Sequence, residues 1–159
     1  MMIHRKKLSS EQALQKLKHY CAYQERCHLE VRLKLASLGV WRKEQDEIIA
    51  TLITENYLNE ERFAIAFARG KFRIKHWGRH RIIEALRQKG INHYCIRKAV
   101  GQLEANDYDS SIRKLADKKF RSLKDESSEI RKKKTTEYLL RKGYERAAVI
   151  EALRGLGIR

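Results

Sequence analysis

Gly39, Gly90 and Gly143 stand 51 and 53 residues apart in closely similar surroundings, which makes this chain one unit used three times. The local sequences are Leu35-Ala36-Ser37-Leu38-Gly39-Val40, Leu86-Arg87-Gln88-Lys89-Gly90-Ile91 and Leu139-Leu140-Arg141-Lys142-Gly143-Tyr144. Downstream, Ile48, Ile49 and Leu52 correspond in register to Ala99, Val100 and Leu103, and these to Ala152, Leu153 and Leu156. Tyr57 and Tyr108, also 51 apart, close the first two units. Such a period marks tandem helical units that stack on one another rather than one catalytic domain. The expected domains are 1–56, 57–107 and 108–159. Each is small for an independent core, so neighbours must share apolar surface.

The units are helical. The chain has no proline, only 8 glycines, and 35% charged residues. That composition favours helix throughout. The fold expected is all-α: three tandem three-helix repeats, about nine helices, in an elongated and curved arrangement.

Ser9-Ser10-Glu11-Gln12 has capping-box form and opens a helix through Ala13, Leu14, Leu17 and Tyr20. A break at 24–28 follows, then a helix carrying Leu29, Leu33 and Ala36 that stops at Gly39. Ile48, Ile49, Leu52 and Ile53 mark the third helix of that unit. In the second unit Asn59 caps a helix with Glu60 and Glu61 in its first turn and Phe63, Ala64, Phe67 and Ala68 as its apolar stripe. A break at His76, Trp77 and Gly78 leads to a helix with Ile82, Ile83 and Leu86. Asn92 then caps one with Cys95, Ile96, Ala99, Val100 and Leu103. The third unit opens near Asp109 and Ser110, carries Ile112, Leu115 and Ala116, and loosens at 124–128, a polar stretch expected to be a flexible joint.

Charge is concentrated. The net charge is +16, from 36 Lys and Arg against 20 Asp and Glu. Between 69 and 98 there are ten bases and one acid, Glu84, whereas 41–61 holds six acids and two bases. The central block supplies the candidate contact residues Arg69, Lys71, Arg73, Lys75, Trp77, Arg79, His80 and Arg81. A secondary patch comprises Arg131, Lys132, Lys133, Lys134, Arg141 and Lys142. Arginine offers paired donors to phosphate or carboxylate, and aromatic rings stack on bases or fill a protein pocket. An anionic partner is implied, and both nucleic acid and an acidic protein groove satisfy the pattern. The simpler alternatives are that the bases solvate polar helix faces and that Trp77 anchors a core.

No motif for catalysis is present. There is no phosphate-cradling glycine loop, no Cys-x-x-Cys and no His-Glu-x-x-His, and Glu60 and Glu61 point about 100° apart on a helix. No catalytic residue, cofactor or metal is expected. His19, Cys21, Cys27 and His28 have the wrong spacing for a zinc site, and small buried hydrophobes account for the cysteines. Cys21, Cys27 and Cys95 are too few and scattered for a disulfide framework, no stretch is long and apolar enough to cross a bilayer, and the basic start at 1–8 runs into no apolar signal core. A reduced, cytoplasmic monomer without membrane contact is expected.

The segment Tyr57-Leu58-Asn59-Glu60-Glu61-Arg62-Phe63-Ala64, then a basic helix, then Gly78, Arg81, Ile82, Leu86, Lys89, Gly90 and Ile91, resembles the central module of the RecX family of RecA regulators. Ala13-Leu14 through Glu30, Leu33 and Gly39 is similar to that family's opening segment, and Tyr138-Leu139-Leu140-Arg141-Lys142-Gly143-Tyr144 to its closing one. Three departures stand out. Asn59-Glu60 replaces paired aspartates, Arg79 stands where the family often has proline, and Gln24-Glu25-Arg26-Cys27 differs from the stretch expected there. The resemblance implies a small cytoplasmic protein that binds along the groove of a RecA filament on single-stranded DNA. It would inhibit the ATPase, recombinase and coprotease activities of RecA without being an enzyme, with weak non-specific DNA contact. From the residues alone, a weakly specific nucleic-acid-binding helical protein remains the alternative.

Overall fold

The computed structural model describes residues 8–158; the rest of the basic start, 1–7, and residue 159 lie outside them. Among the described residues there are nine helices and no strand. The first repeat holds α1 (Ser10–Tyr23), α2 (His28–Ser37) and α3 (Arg42–Thr54). The second holds α4 (Glu60–Lys75), α5 (Arg79–Gln88) and α6 (His93–Gly101), and the third α7 (Ala105–Ser122), α8 (Ser128–Lys142) and α9 (Arg146–Gly155).

Local signals account for most helix ends. The Ser9 hydroxyl accepts from the Gln12 N–H, and the Gln12 side chain accepts from the Ser9 N–H. Asn59 and Asn92 cap α4 and α6 by accepting from the Arg62 and Cys95 amides. Gly39, Gly90 and Gly143 all have positive φ, at 79°, 75° and 102°, the left-handed conformation that costs glycine least. Helix α7 starts earlier than expected, at Ala105, so the 107/108 division falls inside its first turn and Tyr108 belongs to the third repeat's first helix.

Two cores form. The first repeat encloses Ala13, Leu17, Cys21, Val31, Leu35, Val40, Ile48, Ile49, Leu52 and Leu58. The second and third repeats share one continuous core, to which the first contributes only Cys27. The α2 stripe expected from Leu29 and Leu33 is corrected here: both are exposed, and Val31 and Leu35 are buried instead. Two apolar stripes of the same spacing lie on this helix, and packing against α1 and α3 selects one. Cys21 and Cys27 sit in different cores. Burial pushes the Cys27 thiol up to about 11, as a small buried hydrophobe requires.

The second and third repeats meet through their turns. The Gly78 N–H donates to the Lys142 carbonyl at 2.8 Å, and the His80 N–H to the Gly143 carbonyl at 2.9 Å. A Cβ on Gly78 would lie 2.4 Å from backbone atoms of Gly143 and Tyr144. Around this contact the Tyr108 hydroxyl accepts from the Arg79 N–H at 2.9 Å and donates to Glu145, whose other oxygen takes the Arg79 guanidinium at 2.9 Å. The Tyr144 hydroxyl donates to the His76 carbonyl at 3.0 Å. The first repeat is tied on by Arg62, whose Nε reaches Glu25 at 2.6 Å and whose Nη atoms reach Asn56.

Gly78→Ala should therefore force the two turns apart, costing about 1–3 kcal/mol through overpacking against backbone that has no rotamer to yield. Gly90→Ala meets nothing within 4 Å and carries only the left-handed backbone penalty, about 1–2 kcal/mol. Chemical denaturation with amide exchange checks both: Gly78→Ala should lose protection across the 78–80 and 142–145 turns together, and Gly90→Ala should not.

Burial, then the bond to Glu145, raises the Tyr108 phenol above the ordinary tyrosine range. A raised folded-state pKa contributes stability that is present below about pH 10 and lost as pH rises toward the folded value. Tyr108→Phe removes that contribution and should cost about 1.5–3 kcal/mol at neutral pH. The gap between the two proteins should narrow in alkaline denaturation curves taken upward from about pH 10.

Candidate functional site

The central bases do not form one patch. Arg69, Lys71, Arg73 and Lys75 alternate along α4, and two residues on a helix turn through about 200°, so they separate into two stripes. Arg69 and Arg73 fall beside Ile65, Phe72, Gln102, Leu103, Glu104 and Asp107. Lys71 and Lys75 fall on the opposite flank, beside Phe67, Ile74 and Lys89 and close to Gln24 and Glu30 of the first repeat.

On that second flank, cations and rings interleave. Lys89 Nζ lies 5.8 Å from the Phe67 ring centre, and Lys71 Nζ lies 5.5 Å from Phe67 and 5.0 Å from Trp77. The Arg81 guanidinium lies 4.4 Å from the Trp77 ring centre. Each contact is a cation–π interaction that orients the cation without neutralising it. Ile74 projects from the same flank and is 75% exposed. Trp77 is half-buried and packs on the shared core, so its ring is both anchor and platform.

Of the remaining candidates, Arg79, Arg131, Lys134 and Lys142 make structural contacts. Arg79 turns inward, stacks at 3.8 Å over Tyr108 and pairs with Glu145. Its guanidinium is thus engaged at the repeat junction. A proline at that position would have no N–H for the Tyr108 hydroxyl. His80 has an exposed side chain, while its backbone serves the junction. In the secondary patch, Arg131 bonds the Phe120 carbonyl through Nε at 3.1 Å and Nη2 at 2.8 Å, capping the end of α7. Lys134 pairs with Glu126 at 2.9 Å, so two contacts from α8 reach across the turn expected to be a flexible joint. Lys142 donates to the Lys75 carbonyl at 3.1 Å, bringing the end of α8 beside the end of α4. Lys132 and Lys133 line a groove elsewhere on the third repeat, and Arg141 is exposed.

The sequence pattern placed Phe67 in the core and left Lys89 and Ile74 outside the candidate set. The i, i+4 spacing of Phe67 and Lys71 carried the signal for one contact. Lys89 reaches Phe67 only through the packing of α5 on α4, for which no local signal exists.

A model of RecX described as its second three-helix domain matches residues 59–100, and one described as its third three-helix domain matches 107–153, together more than half of the chain. Regulatory protein RecX of Clostridium perfringens (strain 13) is 32% identical over 118 residues, covering 73% of this chain and 55% of that protein. Regulatory protein RecX of Bacillus cytotoxicus is 26% identical over 130 residues, covering 82% and 48%. The chain spans about half the length of the curated relatives it matches. The crystal structure of RecX from Lactobacillus salivarius superposes with a TM-score of 0.84 at 23% identity, covering 94% of this chain and 97% of the other, a likeness of fold. With the same three-helix repeats and both domain matches in sequence order, this chain belongs to the RecX family.

Proposed function

We propose that this chain is a non-catalytic regulator of RecA, acting as a monomer in the cytoplasm. It binds RecA and the RecA filament on single-stranded DNA, and inhibits the ATPase, recombinase and coprotease activities of RecA. The observation that carries the reading is the Lys89–Phe67–Lys71–Trp77–Arg81 ladder, on the central repeat of a chain whose curated relatives are called regulatory protein RecX. The ladder suits a nucleoprotein surface for physical reasons. Its cations face phosphates or carboxylates, its rings offer stacking area, and Ile74 beside it supplies an apolar anchor of the kind that protein partners bury. Such a ladder can also hold single-stranded DNA by itself, which is the second reading. Pull-down by RecA–DNA filaments against naked DNA separates the two.

ATP hydrolysis by RecA on single-stranded DNA should fall as this protein is added, well below equimolar amounts. Lys71→Glu with Arg81→Glu should abolish that inhibition while each change alters stability by no more than about 0.5 kcal/mol. Reversing Arg69 and Arg73 on the other flank should leave most of it. Leu86→Ala, fully buried in the shared core, should cost about 2–5 kcal/mol and lose inhibition by unfolding, which circular dichroism distinguishes. An unchanged rate at equimolar protein overturns the reading.

Direct DNA binding should be weak and poorly sequence-specific. Anisotropy titrations across salt concentrations should show log affinity falling with log salt by about 0.7 per phosphate contacted on single strands and about 0.9 on duplex. A flat salt response, or strong preference for one duplex sequence, contradicts it.

A further inference from the structure

The third repeat carries a groove that neither its fold nor the ladder uses. Two adjoining cavities of ≈920 and ≈730 Å³ share Lys132, Thr136, Gly157 and Ile158 between α8 and α9. Leu140, Ile150, Leu153, Leu156 and Ile158 give them an apolar floor. Lys132, Lys133, Arg146 and Arg154 surround it, with Glu129 and Glu137 the acids that line it. Among the described residues none of these four bases has a carboxylate partner.

Comparison with the other repeats shows that the fold does not require this composition. Ile150 occupies the position held by Asp46 in the first repeat and Arg97 in the second, and all three side chains are exposed. Two repeats put a charge there; the third puts an isoleucine, 47% exposed. Leu156 corresponds to Leu52, which is fully buried, and to Leu103, which is half-buried, yet it is 37% exposed itself. The third repeat thus presents apolar surface at positions where its siblings cover or polarise it. Apolar surface kept exposed and rimmed by charge marks a protein-binding site.

We propose that the α8–α9 groove is a docking site for an acidic amphipathic segment of a partner protein. The segment's apolar side chains enter the two cavities and its carboxylates meet the Lys132, Lys133, Arg146 and Arg154 rim. Nucleic acid fits the groove poorly. Among the described residues Phe120 is the one ring lining it, and the Arg131 guanidinium already stacks on it at 3.8 Å, which leaves little platform for a base. A second copy of this chain, net +16 but with an acidic stretch at 41–61, is the competing occupant, and dimerisation of the protein alone that Ile150→Arg abolishes would overturn the proposal in its favour.

The probe is a fluorescein-labelled helical peptide with leucines at i, i+3, i+4 and i+7 and glutamate elsewhere. A chain this basic attracts any acidic peptide, so the decisive variant is Ile150→Arg, which restores the charge of the second repeat while raising the net positive charge. Docked binding should weaken by about ten-fold or more in that variant, since a buried anchor is lost. Purely electrostatic attachment should strengthen. Lys132→Glu with Arg154→Glu should weaken binding comparably, and clearly more than Lys71→Glu with Arg81→Glu, which lowers the net charge equally but on the central repeat. Melting curves verify that each variant folds. Unchanged or tighter binding by Ile150→Arg, equal binding of a matching lysine peptide, or displacement of the peptide by oligothymidine at comparable concentration overturns the proposal.

Discussion

The backbone contact of Gly78 with the turn at Gly143 sets the geometry of the second and third repeats. Side chains cannot intervene there, so two turns distant in sequence touch through main-chain atoms and exchange two hydrogen bonds. Everything near the ladder inherits this constraint. Trp77 precedes Gly78 and Arg81 follows it by three residues, so the turn that docks the third repeat also places Trp77 within reach of both Lys71 and Arg81. A change in the junction is therefore a change in the candidate binding surface, without any contact to a partner.

The two junctions of the central repeat share a plan. Arg62 pairs with Glu25 from the first repeat, and Arg79 with Glu145 from the third. Both pairs are partly exposed, where an ion pair alone is worth little. Their stabilising effect comes from company: Arg62 also holds the Asn56 side chain and carbonyl, and Arg79 lies over Tyr108, whose hydroxyl serves both Arg79 and Glu145. Such shared networks respond together when one member is removed.

Much of this was legible in the sequence, and what was not has physical reasons. The glycine period gave the number of repeats, and Ser9, Asn59 and Asn92 announced helix starts because capping is local. The buried face of α2 was not legible, since Val31/Leu35 and Leu29/Leu33 have the same spacing and only neighbouring helices choose between them. The candidate site was half legible. Its bases could be found by composition, and their separation into two flanks follows from helical phase alone. That Arg79 points inward depends on Glu145, 66 residues away, and no periodicity encodes such a pairing.

The distribution of charge separates binding from cohesion. Between 8 and 58 the chain has seven acids and seven bases, whereas 59–103 has eleven bases and three acids. Positive charge is thus concentrated on the central repeat relative to the first. Salt acts differently on the two functions. Screening reaches exposed ladder cations at physiological ionic strength, but it barely affects the main-chain bonds of the 78–80 turn, the buried Tyr108 and Tyr144 rings, or the shared apolar core. Cohesion between the second and third repeats thus rests mainly on groups that salt does not screen, whereas the Arg62–Glu25 pair that ties on the first repeat is partly exposed and is screened. If the proposed surface binds its partner, a rise in ionic strength that weakens the binding should leave the second and third repeats assembled, and a surface made of a few uncompensated cations can be tuned by single substitutions without dismantling the scaffold that presents it.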